Sequence, residues 1–179
     1  MQDQERNALS ALLLQIGDAT DAQILDAVGL SARELAALVL VRNRAGCNVS
    51  WLHGRLDLTQ SGAVRLLDRL QELGLIQRTR TDGRREIALA VTSQGERVVR
   101  RGTAVRARVI DSQLSGLSPA DREAFMTLAA RALAGQRRTR DEGDEACRLC
   151  DWRACTPDCP MEQAIPTSDS RHGSITGAA

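Results

Sequence analysis

Lysine does not occur in this 179-residue sequence, so all 24 basic residues are arginine. Every cation is therefore a permanently charged, planar fork suited to carboxylate and phosphate. Tyrosine is absent too, phenylalanine occurs once and tryptophan twice, which leaves no series of rings on which unpaired bases could stack and excludes a single-strand or RNA binder of that type. The longest apolar run, residues 35–41, falls far short of the roughly 20 residues that span a bilayer. The first six residues are polar and mixed in charge. No membrane partner is expected, and the chain reads as cytoplasmic. There is no Ser/His/Asp set, glycine-rich phosphate loop or HExxH sequence, so an enzyme would have no residues to carry its chemistry. His53 is expected to face solvent or phosphate, and His172 lies in the polar C-terminal stretch; neither suggests catalysis.

What is present is ordinary in bulk: 42% apolar, 26% charged, a formal charge of +1. That suits a soluble protein of one domain plus some extra, and it names no partner. Local order says more. Residues 3–28 carry helical apolar spacing (Leu9, Leu12, Leu13, Ile16, then Ile24, Leu25, Val28), with a break expected at Gly17-Asp18-Ala19-Thr20. Ser31 and Glu34 have capping-box spacing for an apolar helix to about Arg44, stopped at Gly46, with its inner half in the core. Asn48 can cap a short helix to Arg55, and Thr59 a second one to Leu73 that Gly74 ends. Residues 75–80 alternate as a strand, Thr81-Asp82-Gly83-Arg84 has turn chemistry, and Arg85–Val91 returns. Ser93 and Glu96 again have capping-box spacing, for a helix to about Leu114, and Pro119 opens another that ends near Gly135.

On the helix from Thr59, Ala63, Leu66, Leu67 and Leu70 form one apolar stripe, while Gln60, Ser61, Val64, Arg65, Asp68 and Arg69 face away. Glutamine pairs with adenine edges, arginine with guanine, serine with either, and valine methyls with the thymine methyl; Arg69 is placed to meet phosphate. A lone amphipathic helix would show such a face without binding anything. Its neighbours change the weighting: residues 42–85 hold nine arginines (42, 44, 55, 65, 69, 78, 80, 84, 85) against four acids. A helix-turn-helix followed by a basic hairpin predicts a mainly α fold with a small β-hairpin wing, the helix in the major groove and the wing tip in the minor groove of double-stranded DNA.

Four stretches carry a more specific likeness: Leu56 to Leu70, Gly74-Leu75-Ile76-Gln77-Arg78, Asp82-Gly83-Arg84, and Val91-Thr92-Ser93-Gln94-Gly95. In order and spacing they resemble the recognition helix, first wing strand, D-x-R wing tip and second-strand end of the MarR (multiple antibiotic resistance regulator) transcription factors. The resemblance covers about residues 25–135. It implies a winged helix-turn-helix with flanking dimerisation helices, a homodimer, a pocket for small aromatic ligands, and a regulator, most often a repressor, released by phenolic compounds or cysteine oxidation. Candidate DNA contacts are Thr59, Gln60, Ser61, Val64, Arg65, Arg69, Arg78, Arg84 and Arg85. The stretch from Asp82 to Thr92 is one residue longer than is usual in the family, so Arg84 and Arg85 compete for the minor groove, with the other bonded to Asp82 in a wing salt bridge. Gly62 and Val64 stand where hydroxyl residues are frequent, so the family's base preference does not carry over. Val98, Val99, Val105, Val109, Leu114, Leu117, Phe125, Leu128 and Leu133 are expected to supply the dimer interface.

Residues 136–165 turn polar and then cysteine-rich, and 166–179 read as a disordered tail. Cys147, Cys150, Cys155 and Cys159 put four thiols in thirteen residues, the first pair at knuckle spacing and the last followed by Pro160. Zinc, an iron–sulfur cluster and a thiol–disulfide switch are the alternatives, with Trp152 placed to pack over the site. Cys47 stands alone beside a helix end and reads as a small buried residue. Two function classes follow: a DNA-binding transcription regulator with a metal or redox appendage, or a metal-centred redox or interaction module whose winged helix serves protein contacts.

Overall fold

The structure, a computed structural model, describes residues 2–80, 87–166 and 168. The expected wing-tip residues Asp82, Arg84 and Arg85, and the tail containing His172, lie outside the described residues. Helix α1 (Asp3–Val28) is continuous, which corrects the break expected at Gly17. A glycine inside a helix costs only about 1 kcal/mol, and packing of α1 along a later helix, with Thr20 and Ile24 buried, outweighs it. Gly29, at φ 68°, closes the helix in the left-handed conformation.

Helix α2 (Ala32–Asn43) starts at the expected capping box: the Ser31 hydroxyl accepts from the Glu34 N–H and the Glu34 carboxylate from the Ser31 N–H. Every residue from Leu35 to Val41 is buried, so the helix is covered on all sides rather than on an inner half. Helices α3 (Val49–Arg55) and α4 (Gln60–Glu72) follow, then β1 (Ile76–Arg80) and β2 (Ile87–Val91), paired antiparallel with Ile76 opposite Val91 and Arg78 opposite Leu89. The far edge of β2 is also bonded, because the Leu89 N–H donates to the Cys47 carbonyl (2.9 Å) and its carbonyl accepts from the Gly46 N–H (2.9 Å).

Helix α5 (Ser93–Gln113) is capped by Thr92, one residue before the expected Ser93. Thr92 ends the strand in extended conformation, accepts from the Gly95 N–H (3.1 Å) and donates to the Gly74 carbonyl (2.6 Å), so one side chain joins the helix start to the end of α4. Helix α6 (Pro119–Ala134) has no buried residue. Three short helices complete the described chain: α7 (Arg140–Ala146), α8 (Trp152–Cys155) and α9 (Pro160–Gln163). They pack back on the main body, α7 against α3 and α9 against α6, with Leu149 and Trp152 touching the main core. No helix among the described residues is long and apolar enough to cross a membrane.

The expected dimer surface needs correction. Val99, Val105, Val109 and Leu114 are buried within the chain, and Val98 packs against its core. Of the expected set Leu128 and Leu133 on α6 are exposed; the other exposed large apolar side chains among the described residues are Met126 on α6, Leu9, Leu13, Leu14 and Leu25 on α1, and Val64, Leu73 and Ile87 in the winged part.

Gly95 sits where a β-carbon would lie 2.1 Å from the Leu75 carbonyl oxygen and 2.5 Å from Val91 Cγ1. Backbone cannot step aside as a side-chain tip can, so Gly95→Ala should lower stability by about 1–3 kcal/mol. Gly17 has nothing within 4 Å, so Gly17→Ala should raise it by about 0.5–1 kcal/mol. Thermal or urea unfolding of the two variants should show opposite shifts; a shared direction would contradict this account of α1 and of the α5 start.

Candidate nucleic-acid interface

Helix α3 begins at Asn48, whose Oδ1 accepts from the Trp51 N–H (2.7 Å). The turn into α4 is closed by His53: its carbonyl accepts from the Leu56 and Leu58 N–H groups, and its Nδ1 lies 3.3 Å from the Leu58 carbonyl. His53 is thus half-buried in the turn. Leu52 and Leu56 anchor the turn in the core, while Asp57 takes a left-handed φ of 49° on its outside.

Helix α4 buries Ala63, Leu67 and Leu70, with Leu66 half-buried beside them. Gln60, Ser61, Val64 and Arg65 are exposed along the opposite side of its first two turns. Thr59, Arg69 and Arg78 have partners inside the chain. Thr59 is the N-cap, accepting from the Gly62 N–H (3.1 Å). Arg69 Nε meets Glu34 Oε1 at 2.6 Å, tying α4 to the start of α2. Burial opposes ionisation of Glu34, but the Ser31 N–H and hydroxyl together with Arg69 outweigh it, and its carboxyl is held below the usual range. Arg78 on β1 bonds Asp68 on α4 (2.6 Å), fixing the first strand against that helix.

The basic stretch is divided in the same way. Arg55 is buried, stacked 4.4 Å over the Trp51 ring, and paired with Asp141 and, at 3.3 Å, with Asp144. Arg44 lies over the same ring at 4.9 Å. Arg42 pairs with Asp151 at 3.1 Å. The cysteine segment therefore draws two of the nine arginines, Arg42 and Arg55, away from any outside phosphate. Asp144, 1% exposed, is held from the other side by Arg140 (3.1 Å), which also bonds Glu162 (2.8 Å). Sequence reasoning missed this role of Arg55. The only signal was the acidic run at Asp141, Glu142, Asp144 and Glu145.

The four clustered cysteines come together. Cys147 and Cys159 are buried with Met161, Cys150 and Trp152 pack against them, and Cys155 is exposed. Trp152 donates from Nε1 to the Cys147 carbonyl (3.3 Å). Hydrogen bonds with Cys150 and Cys159 push the Cys147 thiol up, so it keeps its proton and donates toward them, which pulls both of those thiols down. Desolvation raises Cys155. Among the described residues no three His, Cys, Asp or Glu side chains are arranged to hold a metal as they stand. Cys47 is buried apart from the cluster, its thiol pushed up to about 11 by desolvation.

A family model described as MarR family matches residues 28–85. No curated protein matches the chain. Among solved structures, RV1404 from Mycobacterium tuberculosis shares 27% identity, covering 75% of this chain and 94% of its own, with a TM-score of 0.65. The YusO protein from Bacillus subtilis shares 23% identity over 72% of this chain and 92% of its own, with a TM-score of 0.64. The Mycobacterium tuberculosis MarR family protein Rv2887, solved in complex with p-aminosalicylic acid, shares 20% identity over 68% of this chain and 95% of its own, with a TM-score of 0.53.

Arg55→Ala removes one of the two arginines paired with the buried Asp144. Loss of a charge-assisted bond of this kind costs about 1.5–3 kcal/mol, so the variant should unfold earlier, and trypsin should cut between residues 136 and 165 before it cuts the core. Unchanged cleavage of that segment would show that Arg55 does not hold it.

Proposed function

We propose that the chain, whose residues 28–85 match a model of the MarR family, is a dimeric, sequence-specific regulator of transcription that binds double-stranded DNA. The observation that carries this reading is the free face of α4. Gln60, Ser61, Val64 and Arg65 are exposed together at the N-terminal end of a helix whose other side is locked into the core. They offer donors, acceptors and methyls matched to major-groove edges. Arg69, Arg78 and Thr59 act on this reading as supports, which hold the helix, its cap and the wing strand in place. The wing tip, with Arg84 or Arg85, is left to meet the minor groove.

The exposed leucines of α1 and the apolar face of α6 support the second half of the proposal. Seven large apolar side chains on two helices form a surface that a second copy would cover, with two-fold symmetry placing the reading helices about 34 Å apart over an imperfect palindrome. The reading also includes repression, relieved by a small aromatic acid or by the state of the cysteine segment. A cavity of about 360 Å³ between α2, β2 and the start of α5 offers room for such an acid, with Arg42 and Arg153 among its lining residues.

The test is binding to duplexes from the region upstream of the protein's own gene. Affinity should fall steeply with salt, and Arg65→Ala should lose roughly 1–3 kcal/mol on the preferred sequence while changing little on random DNA. Equal losses on both would remove Arg65 from the major groove. Light scattering at micromolar concentration should report a dimer, and Leu13→Glu with Leu128→Glu should shift it toward monomer; a wild-type monomer would refute the interface. No binding to any duplex would favour the protein-contact module instead.

A further inference from the structure

We propose that Cys147, Cys150, Cys155 and Cys159 form a tetrathiolate zinc site, and that zinc in this site braces the helix-turn-helix against α5 and so sets the grip on DNA. The second half rests on the DNA-binding reading; the first does not.

The cluster lies in a built environment. Two of its thiols are buried, Trp152 and Met161 pack against them, and the segment that carries them has little other apolar surface to fold around. Short segments of that kind gain their folding free energy from the metal itself. Four thiols would lose their protons to solvent as four zinc–sulfur bonds form, with no change of oxidation state. The complex would carry two negative charges, and a cation stands beside it, since Arg106 on α5 donates to the carbonyl of Leu149, the residue before Cys150 (3.2 Å). The donor set favours a single zinc ion: four thiolates from one short segment, the first pair two residues apart, match the ligands of a structural zinc site, and three of them, Cys147, Cys150 and Cys159, already pack together, with the exposed Cys155 to be drawn in as the fourth.

The site is also wired to the rest of the molecule. Asn43, the last residue of α2, donates to the Cys150 carbonyl (2.9 Å), and Arg106 on α5 donates to the carbonyl of the preceding residue, Leu149. Arg42 bonds Asp151, the next residue along. From the same segment, Asp141 and Asp144 hold Arg55 at the end of α3. The cysteine loop therefore joins α2, α3 and α5 at one point. A loop held closed by metal fixes the reading head relative to α5, and a loop without it leaves that angle to be ordered at each binding event.

Full-length protein prepared without oxygen should be colourless and carry one zinc per chain by elemental analysis, and Cys155→Ser, altering the exposed thiol, should lower zinc affinity at least tenfold while the protein stays folded and dimeric. Iron with sulfide and a brown colour, or four free thiols and no metal, would overturn the site. Chelation should speed hydrogen exchange at the end of α2 and around Arg106, and weaken binding to the upstream duplex at least fivefold, with recovery on adding zinc. Arg106→Ala should keep the zinc but reduce that effect below twofold. Unchanged exchange, or unchanged or tighter duplex binding after chelation, would overturn the brace. A chain that holds zinc and brakes exchange but binds no duplex would count against the DNA-binding reading and leave the site standing.

Discussion

Helix α2 sets the terms for everything around it. Seven consecutive residues, Leu35 to Val41, are buried, and a helix that is apolar on every side survives in water only when every side is covered. Helix α1 and α5 cover part of it, with Gly102 letting α5 come so close that a β-carbon there would meet the Leu35 side chain at 2.5 Å. Helices α3 and α4 and strand β2 cover the rest. Helix α4 is thus not an appendage. Its apolar stripe is one wall of the same core, and that fixes which face is left for solvent or DNA.

The polar bonds then remove freedom from what the core has placed. Arg69 to Glu34 and Thr92 to Gly74 each join elements that the chain order does not put side by side, and Arg78 to Asp68 pins β1 back onto α4. Exposed ion pairs add little stability, about 0–1 kcal/mol each. Their effect here is positional: they hold α4, the first wing strand and the start of α5 in register.

Much of this arrangement was legible in the sequence because its causes are local. Ser31 with Glu34, Asn48, Thr59, Gly74 and Pro119 mark helix ends through contacts within a few residues, and alternation in 76–80 and 87–91 marks strands. The exposed side of α4 followed from periodicity alone. What was not legible depended on distant partners. The Gly17 break failed because packing on α5 decides it. Val99 and Val109 were assigned to a dimer surface because periodicity shows that a residue is apolar, not which apolar neighbour it meets. Arg55 was counted toward DNA because its partners, Asp141 and Asp144, lie 86 and 89 residues away.

The two bonds between Leu89 and the Gly46–Cys47 segment have a mechanical meaning. Strand β2 is held on one side by β1 and on the other by the chain leading into α3, so it lies inside a small sheet-like layer, not at its free edge. The base of the wing and the helix-turn-helix consequently move as one stiff body. In the proposed dimer such a body would be carried nearer to or further from its twin rather than reshaped, and a signal would act on the spacing between two rigid heads, as the jaws of a caliper are set without altering either jaw.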